Sequence, residues 1–327
     1  MQNLIVVTRQ IPESGIKLLQ QKKYRLRIFR ESRAPRRDEL FQLVKGADAV
    51  LSLLTDRVDG EVMDAAGKRL KIIANYAVGY DNIDCEAAAK RNIIVTNTPG
   101  ALENAVAEHT FALILACAKR IPEADGYTRA EKYKGWDPML LLGMELLNKT
   151  LGIVGLGRIG QRVAFMAQKG MGMRVVYSDV EKNSAFEREY DAKFLTLPRL
   201  LEVSDVVTLH VPLLPSTRHL ISTKQFQQMK KNAILINTAR GAVVDEKALA
   251  RALKNKRIMA AGLDVYECEP AIDCDIRDDL ELKQLANVVL TPHIASATIE
   301  AREEMARIAA RNIIAVLSGK KAVTAVN

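Results

Sequence analysis

The chain has 327 residues, more than the roughly 100 to 200 residues usual for one domain, which predicts two domains. Hydrophobic residues make up 48% and charged residues 27%, a balance that excludes wholesale disorder. The formal net charge of +9 favours anionic partners, and basic residues crowd Lys22 to Arg37. Because this stretch lies between a helix-like and a strand-like segment, we interpret it as a solvated basic face and expect no nucleic-acid partner.

Several functional classes are disfavoured by the sequence. The first residues lack a basic segment followed by a long apolar one, so no secretory signal is predicted. The longest apolar run, Thr110 to Ala118, is shorter than the ~20 residues that span a bilayer, so no membrane partner is expected. The cysteines (Cys85, Cys117, Cys268 and Cys274) form no CxxC pair and are too sparse for a disulfide framework, which favours a reducing, cytoplasmic compartment. No histidine and cysteine set has zinc-ligand spacing, so no metal site is expected.

Short β-rich apolar runs alternate with amphipathic stretches along the whole chain. Five runs predict strands in its first part: Leu4 to Val7, Arg25 to Phe29, Ala49 to Leu51, Lys71 to Ala74 and Ile93 to Val95. Six more follow: Thr150 to Val154, Arg174 to Tyr177, Val206 to Leu209, Ala233 to Ile236, Met259 to Leu263 and Val288 to Leu290. Strands that alternate with helices form parallel sheets. The sequence therefore predicts an α/β protein with two doubly wound parallel-sheet domains.

Two long helical patterns predict how the domains are connected. One runs from about Leu102 to about Asp125, where the chain can cross between domains, and the other from Ile299 to Leu317 is long enough to return to the first. We therefore expect a discontinuous substrate domain of residues 1–99 and 295–327, with a nucleotide-binding domain of residues 100–294 inserted in it.

A glycine motif follows the first strand of the second series. Gly155, Gly157 and Gly160 form GxGxxG between a strand and a helix, where they allow a tight turn, close approach of a pyrophosphate and close helix packing. Asp179 ends the next strand, 19 positions after Gly160, at the spacing of a ribose-binding carboxylate. Such a carboxylate repels a 2′-phosphate, so the sequence favours NAD over NADP, although Lys182 is nearby.

Three polar residues follow strands of the second series: Arg240 in NTARG, Glu269 in DVYECEP and His293 in TPHIAS. With LGIVGLGRIG these motifs resemble, in order and spacing, the D-isomer-specific 2-hydroxyacid dehydrogenases over essentially the whole chain, and most of all the glyoxylate and hydroxypyruvate reductases. The resemblance implies a Rossmann NAD-binding domain inserted in a flavodoxin-like substrate domain, and reversible reduction of a small 2-keto acid by NADH.

The resemblance also implies roles for these three residues. Arg240 should bind the substrate carboxylate and polarise the keto oxygen, for which a guanidinium is suited. His293 should donate the proton that the developing alkoxide needs, and Glu269 should pair with His293 and favour its protonated form. Reduction should therefore prosper at lower pH and oxidation at higher pH.

Further positions are implied by the resemblance alone. Val78 and Gly79 should form a backbone cradle for the substrate carboxylate, and Leu53 should close over the substrate. Trp136 should lie near the neighbour's active site, in a dimerisation segment of about residues 120–148, so a homodimer is expected. The residues expected to bind the cofactor are Gly155, Gly157, Arg158, Ile159, Gly160, Asp179, Val211, Pro212, Thr217, Thr238, Ala239, Arg240, Asp264 and His293.

Alternatives within and outside this family differ in specific features. Glu269 stands where formate dehydrogenases have glutamine, and Val78 lies close to where phosphite dehydrogenases have lysine. Phosphoglycerate dehydrogenases remain an alternative, because many have the same three catalytic residues. A non-catalytic NAD-sensing scaffold is a remote alternative, since such proteins add disordered tails and the three catalytic residues are better explained by turnover.

Overall fold

A computed structural model of the protein describes residues 2–269 and 282–327. Its strands are β1 (Leu4–Val7), β2 (Arg25–Ile28), β3 (Ala49–Ser52), β4 (Ile72–Asn75), β5 (Ile94–Thr96), β6 (Thr150–Val154), β7 (Arg174–Ser178), β8 (Lys193–Phe194), β9 (Val206–Leu209), β10 (Ile234–Asn237), β11 (Ala260–Leu263) and β12 (Val288–Leu290). Its α-helices are α1 (Glu13–Gln21), α2 (Arg37–Val44), α3 (Gly60–Ala66), α4 (Cys85–Lys90), α5 (Glu103–Ala118), α6 (Ile121–Arg129), α7 (Arg158–Phe165), α8 (Ser184–Tyr190), α9 (Leu197–Val203), α10 (Thr223–Gln228), α11 (Glu246–Lys254) and α12 (Ile299–Leu317).

The first compact unit contains described residues 2–102 and 297–327. Its five-stranded sheet has the order β2-β1-β3-β4-β5, and every neighbouring pair is parallel. This is the flavodoxin-like order, in which ligands bind at the carboxyl ends of the strands. Helix α12 packs closely on α1: a Cβ added at Gly15 would lie only 2.6 Å from the Ala306 carbonyl oxygen. The last helix of the chain is thus part of the same unit as the first strands and helices.

The second compact unit contains described residues 103–269 and 282–296. Its parallel sheet has the order β12-β11-β10-β9-β6-β7-β8, so the chain reverses direction across the sheet beside β6. This is the Rossmann order with one further strand at the β12 edge. Helices α5 and α7 contribute Phe111, Ile114 and Val163 to the apolar core beneath β6. The predicted fold class, two doubly wound parallel-sheet domains, is confirmed.

The structure differs from the sequence prediction at two elements. Strand β8, which pairs Lys193 and Phe194 with β7, was not predicted, because two residues carry no periodicity. The helix predicted from Leu102 to Asp125 is two helices, because Arg120 adopts the left-handed conformation with φ of 54° and Pro122 begins a new turn in α6. The single continuous helix was therefore wrong.

The cysteines differ from the expectation of reduced thiols at one described position. Cys85 and Cys117 are free thiols, whereas Cys268 is disulfide-bonded, so the expectation of a reduced cysteine is wrong there; Cys274 lies outside the described residues. Sequence spacing does not reveal which cysteines the fold brings together. In the basic stretch, Arg33 pairs with Glu39 at 2.6 Å and Arg37 with Asp59 at 2.7 Å, so carboxylates neutralise part of its charge.

Within the described ranges, no helix has both the length and the apolar character needed to cross a membrane. In the same part of the chain, no group of three or more metal-ligating side chains comes together.

Candidate active site

The glycine motif joins β6 to α7 in the second unit. Gly155 has a φ of +93°, and a Cβ there would lie 2.8 Å from the His210 backbone. A Cβ at Gly160 would lie 2.2 Å from the Gly155 carbonyl oxygen, so only glycine lets α7 approach the turn this closely. At Gly157, by contrast, a Cβ would have no heavy atom of the described residues within 4 Å. The turn is therefore closed on its sheet side and open at Gly157.

The open side of this turn fits a dinucleotide pyrophosphate. The N–H groups of Arg158, Ile159 and Gly160 belong to the first turn of α7, where no intrahelical acceptor exists. These N–H groups and the positive end of the helix dipole attract an anion. Arg158 is 70% exposed, and its nearest carboxylate, Glu103, is 3.9 Å away.

Asp179 lies directly after β7 and beside the glycine turn. Its carboxylate accepts hydrogen bonds of 2.6 Å from the backbone N–H groups of Leu156 and Val180, which fix its position. Each carboxylate oxygen has further acceptor capacity for ribose hydroxyls. Lys182, the cation near this position, is paired with Glu187 at 3.0 Å. The described part of the chain thus offers a fixed negative charge beside the glycine turn, and the ammonium of Lys182 is paired with a carboxylate.

The loop after β9 carries three further predicted cofactor positions. The Val211 side chain lies against Gly155, 2.9 Å from the position of a Cβ there. Thr217 donates to the Pro212 carbonyl at 2.6 Å and accepts from Leu214, so its hydroxyl stabilises this loop. His210 precedes them, and its buried Nε2 has no hydrogen-bond partner among the described residues. Burial lowers the pKa of His210 to about 3, which keeps its imidazole neutral.

His293 and Glu269 come together after β12 and β11. The His293 Nδ1 lies 2.5 Å from the Glu269 Oε2, and both side chains are partly exposed. Since an ionised carboxylate only accepts hydrogen bonds, Nδ1 is the protonated nitrogen and donates to Glu269. The Nε2 of His293 has no partner among the described residues and is left to exchange a proton with a ligand.

Asp264 holds the backbone that carries His293. It is fully buried at the end of β11, and its carboxylate accepts from the N–H groups of Ile294 at 2.9 Å and Ala295 at 2.8 Å. The Thr291 hydroxyl donates to it at 2.7 Å and also lies 3.0 Å from the His109 Nε2. Burial alone would raise the pKa of Asp264, but the hydrogen bonds outweigh it and lower the pKa. This carboxylate is therefore ionised and fixes the loop on both sides of His293, whose φ is 55°.

Arg240 lies in the turn after β10. The buried Asn237 side chain donates to the Arg240 carbonyl at 2.9 Å and accepts from the Ala239 N–H, while the Thr238 hydroxyl lies 3.1 Å from that of Thr110. The guanidinium donates to the Ala239 carbonyl at 2.8 Å. The next residue, Gly241, is so close to the Tyr266 backbone that a Cβ would overlap it at 1.9 Å. The turn carrying Arg240 thus packs directly on the loop carrying Glu269.

In the first unit, the predicted substrate positions follow adjacent strands. Leu53 comes directly after β3, while Val78 and Gly79 lie in the loop after β4. All three residues are partly exposed. Trp136 lies in an irregular segment of the second unit and is 84% exposed, whereas the three catalytic candidates are half-buried.

Sequence reasoning missed the buried polar residues that support these positions. Asn75 and Asn82 support the first-unit loops, and Asn237 supports Arg240. The available signal was an asparagine at the end of an apolar strand, which occurs at Asn75 and again at Asn237. A buried amide costs free energy unless it is hydrogen-bonded, so such a residue indicates a structured loop.

The second unit thus combines a glycine turn of the dinucleotide-binding type, a carboxylate fixed beside that turn, a histidine paired with a glutamate, and an arginine. Those features define an NAD-binding oxidoreductase of the kind that transfers a hydride to a carbonyl.

Comparison with known proteins agrees. Residues 111–295 match the family model "D-isomer specific 2-hydroxyacid dehydrogenase, NAD binding domain". The glyoxylate reductase of Thermococcus litoralis is 50% identical over 320 residues, which cover 97% of this chain and 94% of that protein. The glyoxylate reductase of Korarchaeum cryptofilum is 49% identical, with 97% of this chain and 93% of that protein covered. The crystal structure of the TT0316 protein from Thermus thermophilus superimposes with a TM-score of 0.92 at 43% identity, covering 99% and 100% of the two chains. The chain belongs to the D-isomer-specific 2-hydroxyacid dehydrogenase family.

Proposed function

We propose that this enzyme reduces glyoxylate or hydroxypyruvate with NADH to the corresponding D-2-hydroxy acid, glycolate or D-glycerate. The pairing of His293 with Glu269 at 2.5 Å carries the proposal, because it presents an imidazole with a free Nε2 in the unit that holds the dinucleotide turn. The curated relatives named glyoxylate reductase support the choice of substrate.

Each catalytic side chain has a distinct task in this reaction. The nicotinamide supplies the hydride when it is bound. The carbonyl oxygen then becomes an alkoxide, and the His293 Nε2 gives it a proton while Glu269 stabilises the imidazolium before transfer. The Arg240 guanidinium binds the carboxylate and polarises the keto oxygen by paired hydrogen bonds. The N–H groups of Val78 and Gly79 hold the carboxylate, and Leu53 excludes water from the substrate.

We propose NAD rather than NADP as the cofactor. Asp179 is fixed by two backbone N–H groups beside the glycine turn, where its charge would accept ribose hydroxyls and repel a 2′-phosphate. Lys182 would otherwise weaken this argument, but its ammonium is paired with Glu187.

We also propose that the enzyme is a cytoplasmic homodimer formed through residues 120–148. Large apolar side chains are exposed along this segment, among them Trp136 at 84%, Met139 at 71% and Leu142 at 58%. An apolar surface of this kind indicates a protein partner, and we propose a second copy of the chain, because most soluble oligomers are symmetric homo-oligomers.

The test of the reaction is NADH consumption with glyoxylate, hydroxypyruvate, pyruvate and 3-phosphohydroxypyruvate in turn, each repeated with NADPH. We expect the first two substrates with NADH to be fastest, and His293→Asn to lose nearly all turnover while still binding NADH. Exclusive reaction of the phosphorylated acid would replace the proposal with phosphoglycerate dehydrogenase. Tight NADH binding without turnover of any substrate would favour a sensing scaffold.

A further inference from the structure

The loop after β4 presents two backbone N–H groups without acceptors. Within residues 2–269 and 282–327, neither the Val78 N–H nor the Gly79 N–H donates to a protein atom. Adjacent backbone N–H groups of this kind bind anions such as carboxylates. Both residues are only partly buried, so a ligand can reach them.

The carbonyl groups of the same two residues are occupied by asparagine side chains. Asn97 donates from Nδ2 to the Val78 carbonyl at 2.8 Å, and Asn75 donates from Nδ2 to the Gly79 carbonyl at 2.8 Å. The Val78 carbonyl lies in the same peptide plane as the Gly79 N–H, so the bond from Asn97 also fixes the orientation of that N–H. The bond from Asn75 holds the peptide plane on the other side of Gly79, so the backbone of the cradle is held before and after this residue.

Asn75 is in turn part of a buried network. It is fully buried, accepts from the Ser52 hydroxyl at 3.1 Å and donates to the Asn82 Oδ1 at 3.1 Å. Asn82 donates from Nδ2 to the carbonyls of Leu53 at 3.1 Å and Asp56 at 3.0 Å. The network therefore reaches from the loop at Val78 and Gly79 to the turn at Leu53.

Asp56 fixes the other side of that turn. Its buried carboxylate accepts from the Leu53 N–H at 2.7 Å and from the Thr8 hydroxyl. Leu53 is thus held by its N–H and by its carbonyl, while its side chain stays partly exposed. Polar groups buried this deeply stabilise a fold less well than apolar packing would, so their use here indicates a requirement for defined backbone geometry.

We propose that Asn75, Asn82 and Asn97 are positioning residues that hold the Val78–Gly79 backbone in register with the Leu53 turn, leaving both N–H groups of the cradle free for a substrate carboxylate. This inference rests on the proposed function, because it assigns a geometry to the carboxylate cradle. A cradle set before substrate arrives avoids the entropy of ordering the loop during binding.

The test compares Asn75→Ala and Asn97→Ala with Asp48→Ala as a matched control. Asp48 is also buried in the first unit, but it accepts from the Leu4 N–H and from Arg69 at the opposite, amino-terminal edge of the sheet. We expect both asparagine variants to raise KM for the 2-keto acid by at least about tenfold, with KM for NADH within about twofold of wild type. Asp48→Ala should lower the melting temperature and leave both KM values unchanged.

A second readout separates this inference from the proposed function. Oxalate, a carboxylate without a reducible carbonyl, is titrated into the NADH complex while the backbone amide resonances of Val78 and Gly79 are followed by NMR. We expect both resonances to shift, with an oxalate dissociation constant raised in Asn97→Ala by the same factor as KM. Failure of wild type to reduce any keto acid, with these shifts present, would overturn only the reaction. The positioning role would be overturned if oxalate left both amide resonances unshifted. It would also be overturned if the asparagine variants lost stability with unchanged KM. Should Asn75→Ala not fold, the half-exposed Asn97 supplies the deciding variant.

Discussion

Asp179 is the residue on which selection between NADH and NADPH should depend. Its carboxylate is held by two backbone N–H groups, so it cannot turn away to admit a 2′-phosphate. We expect Asp179→Ala to lower the ratio of kcat/KM for NADH to that for NADPH by at least about tenfold, since a lost charge–charge repulsion and lost ribose bonds both act in that direction. Steady-state kinetics with the two cofactors measure the ratio.

Glu181→Ala is the control for this substitution. It removes the same charge from an exposed position two residues away, without a hydrogen-bonded contact to the glycine turn. The ratio should stay within about twofold of wild type, because an exposed charge at this distance is largely screened. An equal change in both variants would mean that the general field of the loop, and not Asp179 itself, discriminates between the cofactors.

His210 should make the enzyme sensitive to acid. Burial lowers its pKa to about 3 in the folded state, whereas an unfolded histidine has a pKa of about 6.5. Below pH 6.5 the unfolded chain therefore binds a proton that the folded chain does not, and stability falls as the pH falls towards 3. Above pH 6.5 the residue is neutral in both states and contributes no pH dependence.

The variant His210→Asn removes this proton-linked loss. Relative to wild type, its free energy of unfolding should improve by about 2 kcal/mol between pH 6.5 and pH 5, as measured by urea unfolding at each pH. The difference in free energy of unfolding between the variant and wild type at pH 8 gives the packing cost of the substitution, and it serves as the reference for the lower pH values. Parallel stability curves for the two proteins across this range would contradict a neutral, buried His210.

The candidate catalytic residues stand in motifs that the sequence displays, whereas the residues that support them do not. Arg240, Glu269 and His293 follow strands in recognisable motifs, and strand ends of a parallel sheet lie at one edge. Asn75 and Asn82 belong to no such motif, and their contact depends on a loop folding back on its own strand. The role of Asp264 in fixing the His293 loop likewise depends on two neighbouring strands, β11 and β12, being in register.

At the scale of elements, the junction of β6 with α7 contains two glycines with different requirements. A Cβ at Gly160 would overlap the Gly155 carbonyl, whereas a Cβ at Gly157 would meet open space among the described residues. We expect Gly160→Ala to lower the free energy of unfolding by about 1 to 3 kcal/mol, because the helix must move away from the turn. Gly157→Ala should leave stability unchanged and raise the dissociation constant for NADH by at least about tenfold, because its methyl group occupies the approach of the pyrophosphate.

Each of these two variants is the control for the other. Urea unfolding measures the free energy of unfolding of both, and NADH fluorescence titration measures their dissociation constants for NADH. Full NADH affinity in Gly157→Ala would show that the pyrophosphate does not bind at the open side of the turn. A loss of stability in this variant would show that the space around Gly157 is not open.

Strands of three or more residues were predictable, whereas a two-residue strand and a break within a long helical pattern were not. All eleven predicted strands are present, four with the predicted ends and seven with ends displaced by one residue, because most are apolar runs between turn signals. Strand β8 has two residues and escapes any periodicity. The break between α5 and α6 depends on the left-handed conformation of Arg120, which cannot be predicted from the residue type. The sequence does mark the start of the next helix by Pro122.

At the scale of the whole molecule, the proposed dimer depends on the segment of residues 120–148. Trp136 and Met139 are exposed at 84% and 71%, and full burial of such a side chain contributes about 2 to 3 kcal/mol. In a symmetric dimer each residue is buried twice, so one substitution affects two sites. We expect wild type at micromolar concentration to sediment at twice the chain mass of 36.2 kDa.

Trp136→Asp should weaken this dimer by at least about a hundredfold, since the loss at two sites amounts to several kcal/mol and each 1.4 kcal/mol is tenfold. Val323→Asp is the matched control, because Val323 is also exposed, at 70%, but lies outside the segment. The dimer dissociation constant of Val323→Asp should equal that of wild type. Analytical ultracentrifugation across a dilution series measures all three proteins. If wild type sediments as a monomer, the proposal of a dimer is wrong. If Trp136→Asp leaves the dissociation constant of the dimer unchanged, the interface lies outside this segment. If instead the dimer dissociates together with a loss of turnover that Val323→Asp does not share, the exposed segment is needed both for association and for the activity of the neighbouring subunit.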